Sequence, residues 1–223
     1  VSEARAQSYD VSQFAAQAPN IPNIFRRWDV AEPEIVASLA LAVDLDSGLV
    51  FYQKGDIQTR WPIASISKLV TAMTAAHILG TDAIVEIVQA DVDTEGVSGD
   101  VRAGEIYAVY DLLEIMLLTS SNDAAAALAR AAGEKMTSEG RGDFAARMRE
   151  EVFALGMGNT YFVEPTGLSD KNQSTLADLE KLAGYFARGG KDILKTSSLR
   201  EARVREEKSK KTRIVTSINK FAG

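Results

Sequence analysis

The chain has 223 residues, 46% of them hydrophobic, enough to bury a core as one domain or as one domain with a subdomain. Its formal net charge of −6 speaks against non-specific binding to nucleic acid or to an anionic membrane surface, both of which need a cationic face. Zero cysteines remove disulfides, thiolate nucleophiles and Cys-based metal sites, and a single histidine, His77, leaves no His-rich one.

No apolar run approaches the ~18 residues of a membrane span. No charged-then-apolar leader opens the chain, so the expectation is a processed or excised start, with any export signal or anchor out of view. Residues 1–34 read as an approach segment, with Pro19, Pro22 and Pro33 as breakers and a short helix around Val11–Ala18. Residues 35–64 read as a sheet hairpin: Val36 to Val43 is apolar, Asp44-Leu45-Asp46-Ser47-Gly48 carries turn chemistry, and Leu49 to Tyr52 returns.

Residues 65–190 read as a helix followed by a helical subdomain. The first helix places Ile66, Leu69, Val70, Met73 and Ala76 on one apolar side and stops at Gly80. "DLLEIMLL" predicts a helix from Asp111, and "SSNDAAAALARAA" restarts one after a polar break. Phe144, Met148, Val152 and Leu155 recur at helical spacing before Gly156. Thr175 and Asp178 suit a capping pair for the helix that ends at Gly189-Gly190. Residues 191–223 are charged and read as a solvated hairpin.

Ser65 and Lys68 form Ser-x-x-Lys at the start of the first helix. Chance alone predicts about one such pair in a chain of this composition, and Ser217-Ile218-Asn219-Lys220 is a second. Context separates them, since only the first opens an apolar helix. The i, i+3 spacing stacks both side chains on one face. The helix N-terminus stabilises an oxyanion, and a lysine pushed toward neutrality by burial can take a hydroxyl proton. His77, nine residues past Lys68, lies about 180° around the helix and reads as a packing histidine. Ser120, Ser121 and Asn122 occupy the polar break. Asn122 suits an N-cap, and a serine hydroxyl with an asparagine amide can equally bind a substrate amide there.

Three blocks in order, "ALAVDLDSGLVFYQKGDIQTRWPIASISKLVTA", "GDVRAGEIYAVYDLLEIMLLTSSNDAAAALA" and "ALGMGNTYFVEPTGLSDKNQSTLADLEKLAGYF", resemble the serine-type D-alanyl-D-alanine carboxypeptidases, the low-molecular-weight penicillin-binding proteins. The resemblance spans roughly residues 36–188, and "TSINKF" is similar to the segment before the family's third motif. It implies an α/β fold of α+β type: a mostly antiparallel sheet flanked by helices, an all-helical subdomain, and an active site in the cleft between them.

By the same resemblance Ser65 is the acylated nucleophile, with its N–H as half of an oxyanion hole. Lys68 is the proton acceptor, Ser120 a proton relay and Asn122 the group that binds the substrate amide. No metal or organic cofactor is implied. The implied substrate is the D-Ala-D-Ala end of peptidoglycan stem peptides, with β-lactams as covalent inhibitors, an exported envelope location, and a role in cell-wall biogenesis and cell shape. Membrane association would come only through an unseen anchor. The family's Lys-Thr-Gly should lie beyond Gly223, so the expectation is a truncated chain, unstable and nearly inactive by itself. Glu164 in "VEPTGL" leaves a class A-like β-lactamase as the alternative, with an exposed loop carboxylate as the plainer reading of that residue. A non-catalytic peptidoglycan-binding relative is the other alternative.

Overall fold

Short strands and long apolar helices set the architecture in a computed structural model that describes residues 31, 33–96, 99–139 and 143–222. The helix expected at Val11–Ala18 lies outside the described residues. The chain divides between Ile57 and Gln58 into two compact units.

The first unit is the expected hairpin. Strand β1 (Ala40–Val43) pairs antiparallel with β2 (Val50–Lys54), Ala40 opposite Lys54 and Val43 opposite Val50. Asp44 builds the turn: its Oδ1 accepts from the Ser47 N–H at 2.7 Å and the Ser47 hydroxyl at 2.8 Å. These bonds hold its carboxyl below the usual range. Gly48 supplies φ +71°. The strand starts later than the apolar run suggests, because Val36 is almost fully exposed and Ser38 lies in a bend.

The second unit carries the rest. Strand β3 (Trp61–Pro62) pairs with β6 (Gln173–Ser174), β4 (Ile84–Glu86) with β5 (Ile106–Ala108), and β7 (Glu201–Arg205) with β8 (Thr212–Thr216), all antiparallel. Its helices are α1 (Ser67–Leu79), α2 (Gln89–Val92), α3 (Val109–Thr119), α4 (Asn122–Ser138), α5 (Phe144–Ala154), α6 (Leu176–Arg188) and α7 (Lys191–Ser197).

Helix α1 packs against α3, α4 and α5. The one-sided apolar stripe expected for it is not what forms. Residues Ser67, Lys68 and Val70–Ala75 are all buried, Thr71 and Thr74 included, whereas Ile66 lies outside and is exposed. Along Ser67–Ala75 neighbours leave the helix no solvent face to keep polar, and its most exposed residue, His77, falls on the last turn. Leu112, Ile115, Met116, Leu118, Leu128, Met148 and Val152 complete the core around it, each burial of such a side chain contributing about 1.5–3 kcal/mol.

Helix ends follow local chemistry. Gly80 closes α1 at φ +78°. Asp143 caps α5, accepting from the Ala146 N–H. Thr175 caps α6 by accepting from the Asp178 N–H, but the pair is not reciprocal, because the Asp178 carboxylate turns to Asn159, Thr160 and Lys181. The charged C-terminal segment begins with a helix, α7, and its hairpin is not fully solvated: Ala202, Val204 and Val215 alternate into the core.

Candidate active site

Ala64–Ile66 make one 3-10 turn that runs straight into α1. Ser65 therefore stands at the mouth of a deeply buried helix. Ala64 enters the turn at φ +44°, a left-handed conformation that costs a residue with a Cβ about 1–2 kcal/mol. One turn on, Lys68 is 3% exposed. Its Nζ lies 3.1 Å from Ser65 Oγ and donates to the Thr166 carbonyl at 2.6 Å. Burial pushes the Lys68 ammonium down to about 8, against the opposing pull of the Glu164 charge.

Ser120 caps the C-terminus of α3 in a left-handed conformation, φ 60° and ψ 32°. That turn aims its Oγ at Ser65 Oγ, 2.9 Å away. The N-cap of α4 is Ser121, whose Oγ accepts from the Ala124 N–H at 3.0 Å. Asn122 is thus not the cap that its position allowed. It occupies the first turn of α4, 5% exposed, and its Nδ2 donates to the Glu95 carbonyl at 2.7 Å. Gly96, at φ +100°, makes that approach possible: a Cβ there would lie 2.4 Å from Asn122 Nδ2.

The structure thus brings Ser65, Lys68 and Ser120 into hydrogen-bond contact and places Asn122 two residues beyond Ser120. Sequence reasoning missed the segment 163–169 that completes the group. Thr71 Oγ1 donates to the Pro165 carbonyl at 2.6 Å, and Asn172 Nδ2 reaches Ser67 Oγ at 3.1 Å, so this segment is fastened along α1. Gly167, at φ +84°, presses on the turn that carries Ser65: a Cβ there would sit 2.0 Å from the Ala64 carbonyl oxygen. Its glycine was visible as turn chemistry, but a carbonyl donated to a lysine 98 positions away leaves no local signal.

Glu164 is not an exposed loop carboxylate. Oε1 accepts from the Gly167 N–H, the Ser169 N–H and Asn172 Nδ2, and Oε2 accepts from the N–H and hydroxyl of Thr166. With its acceptor capacity taken up in this way, Glu164 keeps no lone pair for activating a water.

His77 lies outside the group, a partly buried side chain as expected, its Nδ1 3.1 Å from the buried Glu151 carboxylate. Ser217 and Lys220 fall in a turn where Ser217 Oγ accepts from the Asn219 N–H. Among the described residues no three His, Cys, Asp or Glu side chains gather as a metal ion would need, and no helix is long and apolar enough to cross a membrane.

A serine at a helix mouth, a buried lysine one turn on and a second serine hydroxyl against the first are what a lysine-assisted serine nucleophile requires. The chain belongs to the D-alanyl-D-alanine carboxypeptidase family, whose profile matches residues 27–220. It is 40% identical to a D-alanyl-D-alanine endopeptidase of Escherichia coli over 155 residues, 68% of this chain and 48% of that protein. It is 30% identical to the D-alanyl-D-alanine carboxypeptidase DacB2 of Mycobacterium tuberculosis over 154 residues, 69% of this chain and 50% of that one. The chain spans about half the length of the curated relatives it matches.

Solved structures agree on the fold. A D-alanyl-D-alanine carboxypeptidase from Mycobacterium tuberculosis superposes with a TM-score of 0.73 at 25% identity, covering 88% of this chain and 72% of the other. The Streptomyces K15 DD-transpeptidase gives 0.71 at 26%, covering 87% and 78%. Both support the α/β, penicillin-binding-protein-like architecture, in which helices flank short antiparallel strands.

Proposed function

We propose that the chain is the acylating part of a serine D,D-carboxypeptidase that removes the terminal D-alanine from peptidoglycan stem peptides. The observation that carries this reading is Ser65 Oγ held between Lys68 Nζ at 3.1 Å and Ser120 Oγ at 2.9 Å. A lysine whose ammonium is pushed to about 8 is neutral in a usable fraction near neutral pH. Neutral Nζ keeps one N–H on the Thr166 carbonyl, takes the proton of Ser65, and Oγ attacks the carbonyl carbon of the penultimate D-alanine. The Ser65 N–H is one donor to the developing oxyanion.

As the peptide C–N bond breaks, Ser120 passes a proton to the leaving amine and recovers one from Lys68. Water then attacks the Ser65 ester by the same route in reverse, releasing the trimmed peptide. Asn122 spends Nδ2 on Glu95, so its Oδ1 is the atom that accepts a substrate N–H. β-Lactams, which present a strained amide to the same serine, are the expected covalent inhibitors. The substrate places the protein in the bacterial cell envelope, outside the cytoplasm.

A second reading has its own support. Relatives from Escherichia coli, Pseudomonas aeruginosa and Haemophilus influenzae, 40%, 38% and 34% identical, are named D-alanyl-D-alanine endopeptidases. The same acyl-enzyme would then cleave D-alanyl cross-links. One experiment separates the possibilities: intact mass after benzylpenicillin, with a Ser65→Ala control, followed by digestion of purified muropeptides. An adduct absent from the control, with loss of one D-alanine from pentapeptides, is the expected result. Conversion of cross-linked dimers to monomers would favour the endopeptidase, and an adduct that persists in Ser65→Ala would refute both.

A further inference from the structure

Lys68 is held by a segment 98 residues away in sequence, and Glu164 is the side chain on which that segment is wound. Its two oxygens collect three backbone N–H groups, from Thr166, Gly167 and Ser169, together with the Thr166 hydroxyl and Asn172 Nδ2. Asn172 also bridges to the Glu164 carbonyl and to Ser67 Oγ. The turn so formed directs one carbonyl, that of Thr166, at Lys68 Nζ, 2.6 Å away. We propose that Glu164 is a positioning residue for Lys68: it winds residues 164–169 so that the Thr166 carbonyl fixes the lysine's amine beside Ser65, and it keeps one negative charge facing that amine.

Two consequences follow from the geometry. A neutral amine has two N–H groups and one lone pair, and it is useful as a base only if the lone pair points at Ser65 Oγ. Occupying an N–H with the Thr166 carbonyl restricts the rotation that would misdirect it. The second consequence is electrostatic. Elements packed on α1 carry Glu114 on α3, Asp123 on α4, Glu151 and Arg147 on α5, and Lys191, Asp192 and Lys195 on α7, with His77 at the far end of α1 itself. Glu164 raises the affinity of Lys68 for a proton against the effect of burial. Glu164 therefore limits how far the lysine falls below its solution value, leaving it basic enough to take the serine proton.

This inference rests on the Ser65 acyl-enzyme reading, but its test does not. In protein carrying 13C-labelled lysine, the Lys68 signal, assigned by its loss in Lys68→Ala, is titrated by NMR in wild type, Glu164→Gln and Glu164→Asp. Acylation by benzylpenicillin is followed by intact mass across the same pH range. The Glu164→Gln substitution should move the Lys68 midpoint, and with it the acid limb of acylation, about one unit to lower pH. The plateau rate should fall about tenfold or more as the carbonyl loses its aim. Glu164→Asp keeps the charge on a shorter arm, so its midpoint should return toward wild type while the plateau stays reduced.

A fallen plateau with an unmoved Lys68 midpoint in Glu164→Gln would make Glu164 a loop brace only and overturn the proposal, as would profiles superimposable on wild type. Should Glu164→Gln not fold, a Glu164→Asp midpoint already shifted as far as about one unit would overturn it equally, and a midpoint within about 0.3 unit of wild type with a reduced plateau would support it. Absence of any wild-type adduct would remove the acyl-enzyme reading, and the Lys68 titration would still decide for or against Glu164.

Discussion

Gly167→Ala tests whether the segment under the Ser65 turn is held as tightly as its contacts indicate. The added Cβ would lie 2.0 Å from the Ala64 carbonyl oxygen, 2.4 Å from its carbon and 3.0 Å from the Ser65 nitrogen. All three are backbone atoms, so no side chain can swing away. Reaching ordinary contact requires the two backbones to separate by about 1.5 Å. Alanine at φ +84° adds about 1 kcal/mol of conformational strain. The retreat carries the Thr166 carbonyl away from Lys68 and tilts Ser65. Displacement of reacting groups by about 1 Å costs on the order of a hundredfold in rate.

The assay is the second-order rate of adduct formation with benzylpenicillin at pH 8, beside thermal unfolding followed by circular dichroism. Acylation should fall at least about a hundredfold, with Tm lower by about 4–8 °C for 2 kcal/mol in a chain of this size. Acylation within threefold of wild type at an unchanged Tm would refute the argument that this backbone contact holds the site in register.

Three further outcomes are expected. Ser120→Ala leaves Ser65 and Lys68 in contact but removes the proposed relay, so the adduct should still form, about 10²-fold more slowly, as read by intact mass over time. Lys68→Met should abolish the adduct yet raise Tm at pH 7 by about 4 °C. The buried amine is held near 8 rather than 10.5, so the fold carries its desolvation penalty below pH 8 and sheds it as pH climbs toward 10.5, and the gain should shrink over that range. Asp123, fully buried and with neither carboxylate oxygen hydrogen-bonded among the described residues, is raised by that burial to about 6 from 3.8. An acid with a raised native value stabilises the fold only while protonated, so stability falls as pH rises from about 4 to 6. Asp123→Asn should match wild type near pH 4 and exceed its Tm at pH 7, measured by calorimetry.

The Ser65–Lys68 pair was legible because i, i+3 spacing at a helix start is itself geometry, and the ordered blocks around Ser120 and Asn122 carried the rest. What escaped had physical causes. Adjacent Ser120, Ser121 and Asn122 can each cap a helix, and only the left-handed φ of Ser120 decides that Ser121 does so while Ser120 turns to Ser65. Strands of two or three residues, such as Trp61–Pro62 and Ile84–Glu86, are too short to show an alternating pattern. Thr71 and Thr74 look like a polar face on α1, yet both are buried, Thr71 by bonds to Ser67 and Pro165 that involve another part of the chain. Contacts to backbone carbonyls, Glu95 for Asn122 and Thr166 for Lys68, depend on no residue type and so leave no trace in composition.

The burial of α1 along Ser67–Ala75 bears on what a penicillin adduct would report. Amides in so buried a stretch of helix exchange with water chiefly when the whole unit opens, and Ser65 is set at the start of that helix. Any population in which the core around Val70, Met116 and Leu128 is unmade has also lost the approach of Lys68 and Ser120 to Ser65. On the proposed Ser65 acyl-enzyme, the stoichiometry of covalent labelling would count natively folded molecules in a preparation, and its decay under denaturant should run parallel to the slowest hydrogen exchange of α1.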